Sequence, residues 1–333
     1  MEYCMSPALI VLLVTALFFD FLNGFHDSSN IVATPIASHA MKPRHVLWLA
    51  AVMHFIGPFL FGVAVAETIG TGLTDPENVT MTVLIASLMA AVIWNLVTWW
   101  QGIPSSSSHA LIGGLVGAVI ISAGVDAINA GGLIKVTAAL LLSPILGVLV
   151  GYFLMQITLF LARGATPKIN GFFRHSQIFT TAGLALSHGA NDAQKTMGII
   201  TLGLMTAGVI DEFVVPTWVI TASASMIALG TAMGGWRLIK TLGYRIYKIR
   251  PVHGFVSQIS GAAIILGAAL WGAPVSTTQV MSSAIMGAGS AERLSKVRWR
   301  VGYEMVIAWV LTIPISAILA GLLYLLLTLF FPE

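Results

Sequence analysis

Charge is the first thing this sequence lacks. Asp, Glu, Lys and Arg make up only 9% of its 333 residues, against 57% hydrophobic ones. A soluble globular domain carries about 25% charged residues. This chain therefore has too little polar surface to cover itself in water. Cysteine is nearly missing as well. Cys4 stands alone, which excludes an internal disulfide and a thiolate metal site. No Lys or Arg precedes the first apolar run, so the positive n-region of a cleavable signal peptide is not expected. No stripe of basic residues interleaved with aromatics is present, and nucleic acid is not an expected partner.

What is present is a series of long apolar runs. They fall at about 7–40, 46–66, 81–100, 109–125, 135–163, 177–208, 216–236, 255–271, 280–290 and 301–331. A helix crossing the bilayer needs roughly 20 apolar residues. The expected fold is thus all-α, a polytopic transmembrane helical bundle in the lipid bilayer. The runs at 7–40 and 177–208 carry polar interruptions near 24–30 and 189–195, which suggests broken helices there. The runs at 109–125 and 280–290 are short or glycine-rich and suggest re-entrant hairpins. Pro144 and Pro314 sit inside two of the longer runs, where a kink is expected.

The basic residues are segregated. Loops 41–45, 163–174, 237–254 and 291–300 hold 14 of the 16 Lys and Arg. The loops between them carry Glu67, Asp75, Glu77, Asp126, Asp211 and Glu212. The positive-inside rule puts the four basic loops in the cytoplasm and both termini outside, in a multi-pass protein of the cell (inner) membrane.

The chain also repeats itself. Gly24-Phe25-His26-Asp27-Ser28-Ser29-Asn30 matches Gly189-Ala190-Asn191-Asp192-Ala193-Gln194-Lys195 at an offset of 165. Gly102-Ile103-Pro104, followed by Ser105, Ser106, Ser107 and Ser108, matches Gly272-Ala273-Pro274-Val275-Ser276-Thr277-Thr278 at an offset of 170. Pro144 and Gly151 match Pro314 and Gly321 at the same offset. The charge pattern gives the matched segments opposite directions through the membrane. Two inverted repeats are expected, 1–163 and 164–333, with a site near the bilayer midplane as in many secondary transporters. A duplicated scaffold without a transport role is the plainer reading of such a repeat.

Ionisable groups within apolar runs mark that site. Asp20, Asp27, Asp192, Lys195 and Glu304 all fall inside such runs. Each costs about 2.5–3.5 kcal/mol at a helix centre, so they belong in a protein interior or a wet cavity. Asp20, Asn23, Asp27 and Asn30 follow one helical stripe, and so do His188, Asp192 and Lys195. The expected polar site takes Asp27 from one half and Asp192 from the other. The hydroxyl-rich segments Ser105–Ser108 and Ser276–Thr278 each precede a short helical run. A helix N-terminus presents free N–H groups and a positive dipole end, which suits a tetrahedral oxyanion. Ordinary helix capping is the plainer reading of either segment alone.

Carboxylates and an anion repel each other, so a site built from both needs a cation between them. That cation is H⁺, Na⁺ or a divalent metal arriving as a neutral complex with the oxyanion. Lys195 stands where the first half has Asn30, and a fixed ammonium there replaces one bound cation. His26, His109 and His188 lie beside the motifs, and histidine is the side chain whose ordinary pKa falls near neutral pH. The expected coupling set is Asp27, Asn30, Asn191, Asp192, Lys195, His26 and His188. H⁺ or a divalent-metal phosphate complex is favoured over Na⁺, and no fixed structural metal and no cofactor are expected.

These motifs carry a resemblance. The stretch Asp20-Phe21-Leu22-Asn23-Gly24-Phe25-His26-Asp27, the segment Ser187 through Thr196, and the Pro-Ser-Ser-Ser-Ser and Pro-Val-Ser-Thr-Thr segments resemble the inorganic phosphate transporter (PiT) family, in its bacterial low-affinity branch. The resemblance runs from about residue 10 to residue 325. It implies low-affinity phosphate uptake by symport with a cation, through two inverted repeats. It also implies roles in binding for Asp27, Asp192, Ser105–Ser108 and Ser276–Thr278. Many members have Asn where this chain has His26 and Lys195, which departs from a complete pair of Na⁺ sites. Arsenate is an expected mimic of the substrate; the sequence does not fix the oligomeric state, and a homodimer is one assembly open to it. The competing expectations are a carrier of another oxyanion such as sulfate, and a membrane-embedded hydrolase; an enzyme is not the favoured one.

Overall fold

The structure is a computed structural model that describes residues 6–330, so Cys4 lies outside the described residues. Twelve α-helices form the described part. The first half holds α1 (Pro7–Ala37), α2 (Pro43–Leu60), α3 (Ala64–Gly70), α4 (Met81–Gln101), α5 (Ser107–Ala123) and α6 (Ala130–Leu161). The second holds α7 (Ile169–Thr206), α8 (Thr217–Met233), α9 (Trp236–Lys240), α10 (Pro251–Leu270), α11 (Thr277–Glu292) and α12 (Trp299–Leu327). Five of them, α1, α4, α6, α10 and α12, are long and apolar enough to cross a membrane. The bent pairs α2–α3 and α8–α9 meet the same criterion as units. At 17 and 16 residues, α5 and α11 are short for a crossing. They return as the second arms of the hairpins α4–α5 and α10–α11.

The helix breaks lie elsewhere than the sequence suggests. α1 and α7 run unbroken through 24–30 and 189–195. The polar residues there remain in helical backbone, and their side chains find partners on other elements. The breaks fall after α2, with a 78° bend, and after α8, with a 58° bend. Gly62 and Gly234 adopt positive φ at these breaks, a region glycine enters without penalty. Backbone groups freed there are met by the motif helices. Gln194 donates to the Gly62 carbonyl at 2.7 Å and accepts from the Val65 amide at 2.8 Å. Ser28 accepts from the Gly235 amide at 2.9 Å. A polar motif residue of each repeat thus seals the broken helix of the other repeat.

Packing crosses the repeat boundary throughout. α1 lies against α8 and α7 against α2, while α5 lies against α12 and α11 against α6. Lipid tails are as apolar as the side chains they touch, so such contacts depend on close packing of small residues. A methyl group at Gly24 would sit 2.0 Å from the Ile227 carbonyl oxygen, and one at its repeat mate Gly189 would sit 2.5 Å from that of His54. Backbone cannot yield as a side-chain tip does. Gly24→Val is therefore expected to destabilise the protein by roughly 1–3 kcal/mol or more. A fall in the thermal unfolding midpoint of the detergent-purified protein would show it, and an unchanged midpoint would contradict the contact.

Glu304 also sits elsewhere than its apolar run suggests. It lies near the start of α12 and is half exposed, facing Arg245 at 3.8 Å and Arg300 at 3.4 Å. Its charge is satisfied at the basic-loop face, so it is separate from the buried polar cluster.

Candidate functional site

Asp27 and Asp192 lie midway along α1 and α7, both fully buried. The hairpins bring their hydroxyls to them. Ser107 at the start of α5 donates to Asp27 Oδ2 at 3.0 Å. Its repeat mate Thr277 at the start of α11 donates to Asp192 Oδ2 at 3.0 Å. A second set crosses between the halves. Lys195 Nζ donates to Ser108 Oγ at 2.5 Å, and Asn30 Nδ2 donates to Thr278 Oγ1 at 3.0 Å. Thr278 in turn donates to Asp27 Oδ1 at 2.9 Å. Each of these two pairs is what an inverted repeat demands, since offsets of 165 and 170 turn one contact into the other.

The remaining bonds set the polarity. Lys195 also binds Asp192 Oδ1 and the Val275 carbonyl, the latter at 3.0 Å. His26 Nδ1 lies 2.8 Å from Asp27 Oδ1, and His188 Nδ1 lies 3.3 Å from Asp192 Oδ2. Each carboxylate therefore has a histidine beside it. Ligand atoms of Asp27, His188 and Asp192 lie within 4.8 Å of one another. That is close enough for the three to share one cation.

Not every hydroxyl faces this centre. Ser106 and Ser276 are the N-caps of α5 and α11, accepting from the His109 amide at 3.2 Å and the Gln279 amide at 3.3 Å. A serine cap satisfies one of the orphan N–H groups of a helix start. Ser105 turns to α4 and donates to Thr98 at 2.7 Å. Asn191 donates to the Ala273 carbonyl at 3.3 Å, beside the second hairpin. The central hydroxyls are thus Ser107, Ser108, Thr277 and Thr278. His109 Nε2 meets Gln279 Nε2 at 3.3 Å, and these two are repeat mates as well. Contact between mates places them on the pseudo-two-fold axis.

Two partners were not singled out from the sequence. His54 on α2 is fully buried, with its ring centroid 4.9 Å from that of His188 and its Nδ1 2.7 Å from Thr231. A lone histidine within the 46–66 run is a signal of the kind that intramembrane ionisable residues give. Thr196 donates to Asp20 Oδ1 at 2.6 Å. Asp20 therefore stays in the interior, tied to α7, while nothing in its spacing announces the partner.

The arrangement suits an oxyanion and a cation together. Two helix starts point their positive ends and hydroxyls at one place, and two carboxylates lie next to it.

Comparison with known proteins places the chain in a family. A model of the phosphate transporter family matches the chain twice, over residues 23–168 and 161–320, one match per repeat. A probable low-affinity inorganic phosphate transporter of Bacillus subtilis (strain 168) is 47% identical, over 97% of this chain and 98% of its own length. A protein of the same description from Rhizobium meliloti (strain 1021) is 46% identical, over 96% of each chain. Among solved structures, one described as a sodium-dependent phosphate transporter superposes with a TM-score of 0.88 at 24% identity, covering 97% of this chain and 100% of that one. At that identity it speaks for the fold alone. Two family matches that together span most of the chain, with relatives this similar over nearly their full length, are sufficient: the chain belongs to the phosphate transporter family, as a multi-pass membrane transport protein and not an enzyme.

Proposed function

We propose that this protein carries inorganic phosphate across the cell membrane in symport with a cation, with Asp27, Asp192, Ser107, Ser108, Thr277 and Thr278 forming the binding centre. One observation carries the reading: aspartates from opposite repeats each receive a hydroxyl from the first turn of a re-entrant helix. The fixed charge argues for symport. Asp27 and Asp192 are offset by Lys195 to one net negative charge, counted without the histidines. The two helix starts contribute roughly half a positive charge each. The site is then close to neutral before anything binds. A phosphate mono- or dianion adds one or two negative charges to a buried space, where unpaired charge costs several kcal/mol. One or two cations must accompany it.

Lys195 bears on which cation. It fills with an ammonium the position that Asn30 leaves neutral in the other repeat, so one potential cation place is already taken. His26 and His188, each beside a carboxylate, are positioned to take up a proton. The favoured coupling ion is H⁺, or a divalent metal carried with phosphate. The solved structural neighbour is named as sodium-dependent; the Lys195 ammonium argues for a different ion in this chain. Proteoliposome uptake of radiolabelled phosphate, with pH, Na⁺ and Mg²⁺ gradients imposed one at a time, tests this. Uptake should follow the pH gradient or added Mg²⁺. Uptake driven by Na⁺ alone would overturn the coupling proposal while leaving phosphate as the substrate.

Arsenate has the shape and charge of phosphate and is expected to compete for uptake. Sulfate carries no proton at neutral pH and so offers no O–H to the Asp27 and Asp192 carboxylates, and excess sulfate should leave the rate unchanged. Competition by sulfate as strong as that by arsenate would favour a general oxyanion carrier. The proposed orientation has both termini outside. In a Cys4→Ser background, Arg300→Cys should react with a membrane-impermeant maleimide only in inverted vesicles. Labelling from the outside of intact cells would reverse the topology.

A further inference from the structure

A cavity lies behind the hairpin starts, on the side away from the aspartates. It measures about 640 Å³ and is almost wholly apolar. One wall is a stripe of α12 running from Trp299 through Tyr303, Val306 and Val310 to Ile313. The facing wall is a stripe of α6 from Leu140 through Pro144 to Val148. Its floor is the His109–Gln279 contact. Leu140 and Val310 are repeat mates, and so are His109 and Gln279. A single cavity lined by both pairs must lie on the pseudo-two-fold axis, which runs in the membrane plane in folds of this kind. The cavity is therefore a lateral slot between α6 and α12. His109 and Gln279 follow directly on Ser108 and Thr278 in the first turns of α5 and α11.

Its length and its mouth identify an occupant. From Trp299 to Ile313 an α-helix rises about 21 Å, enough to reach from the polar–apolar boundary of one leaflet to the region of the midplane. Trp299 and Tyr303 are exposed at the end nearest the basic loops, where aromatic residues mark a membrane interface. Arg298 and Arg300 flank Trp299, and Arg300 is 92% exposed. Arg245 and Lys296 add positive charge at this end, Glu304 pairs with Arg300 and Glu292 with Lys296, and the sum leaves this mouth net positive. The leaflet facing the cytoplasm carries anionic lipids that such clusters attract. We infer that the slot holds one acyl chain of an anionic phospholipid of the cytoplasmic leaflet, its phosphate head group at Arg298 and Arg300 and its chain lying against the His109–Gln279 pair. This rests on the proposed orientation, which the Arg300→Cys labelling tests by itself.

The position has a consequence for the hairpins. Trp309 lines the slot and donates from its indole to the Pro104 carbonyl at 3.0 Å, just ahead of α5. Ser283 and Met286 of α11 line the same space. An acyl chain there braces both re-entrant helices against the long helices they pack on. It fills a space that the hairpins would otherwise be free to relax into.

Native mass spectrometry of the full chain, purified with a mixture of phosphatidylglycerol and phosphatidylcholine, tests the inference. Wild type should retain one phosphatidylglycerol in preference to phosphatidylcholine. Ile145→Trp places an indole in the slot from its open side, and retention should fall about tenfold, the loss that displacing about two buried methylenes produces. Ile318→Trp, on the exposed face of α12 outside the slot, controls for folding and should retain lipid as wild type does. Arg298→Gln with Arg300→Gln should abolish the preference for phosphatidylglycerol while a lipid is still held. Equal retention by wild type and Ile145→Trp would overturn the proposal, and so would equal retention of the two lipids by wild type. Efficient disulfide-linked dimers from Ile145→Cys in the Cys4→Ser background would overturn it too, because a second copy would then occupy the slot.

Discussion

Asp27→Asn should reduce phosphate uptake in proteoliposomes to about 1% of wild type or less. The amide is the same size, so the helix and its neighbours are undisturbed. What changes is charge and acceptor capacity. Asp27 Oδ1 accepts from Thr278 and lies beside His26, and Oδ2 accepts from Ser107. An amide turns one of those oxygens into a donor that faces other donors. On the proposed mechanism it also removes one of the two carboxylates that would hold the co-transported cation. Breaking a buried charge interaction costs about 3–5 kcal/mol, which is roughly a hundred- to several thousandfold in binding. Asp192→Asn should be as severe for a related reason. It leaves the buried Lys195 ammonium with neutral partners alone, Ser108, the Val275 carbonyl and the new amide oxygen. Wild-type rates from either variant, in protein that is monodisperse in detergent, would remove these aspartates from the site.

Lys195→Asn should change the cation requirement as well as the rate. It restores in the second repeat the residue type that Asn30 gives the first. Asp192 then loses its fixed counter-charge, and two buried carboxylates face each other with a helix start apiece. At low cation concentration uptake should fall about a hundredfold, by the same cost of an unpaired buried charge. Raising the concentration of Na⁺ or of protons should recover much of it. The order of the initial rate in cation should rise by one relative to wild type. An unchanged order, with the rate simply lowered, would mean that Lys195 is structural and that it does not stand in for a transported ion. The two experiments separate cleanly, because the first removes a place for the cation and the second adds one.

Much of the site was visible along the chain because the repeat doubles every signal. One Ser cluster reads as a helix cap, whereas two at a constant offset, each beside a Gly-x-Pro, read as a site. Two aspartates at matching positions in apolar runs do the same. The serines were harder to sort. Ser106 and Ser276 cap, Ser105 faces Thr98, and only Ser107 and Ser108 turn inward in the first hairpin. Four consecutive hydroxyls look alike in sequence. Their separate roles follow from the turn of the helix that starts among them, because side chains rotate about 100° per residue.

Composition, the placement of basic residues and the internal repeat determined that this protein lives in a membrane, that its fold is helical, and that its halves are inverted copies with a matching aspartate in each. Those properties depend on local residue type and on comparison of the chain with itself. Packing decided the rest. It kept α1 and α7 continuous through their polar motifs and moved the breaks to Gly62 and Gly234, because Gln194 and Ser28 reach across to seal them. It paired Lys195 with Ser108 and Asn30 with Thr278, partners separated by 87 and 248 residues. It set His54 against His188 and left Glu304 at the surface. Which buried polar group meets which is fixed by helices touching side by side, and no spacing along one chain records that.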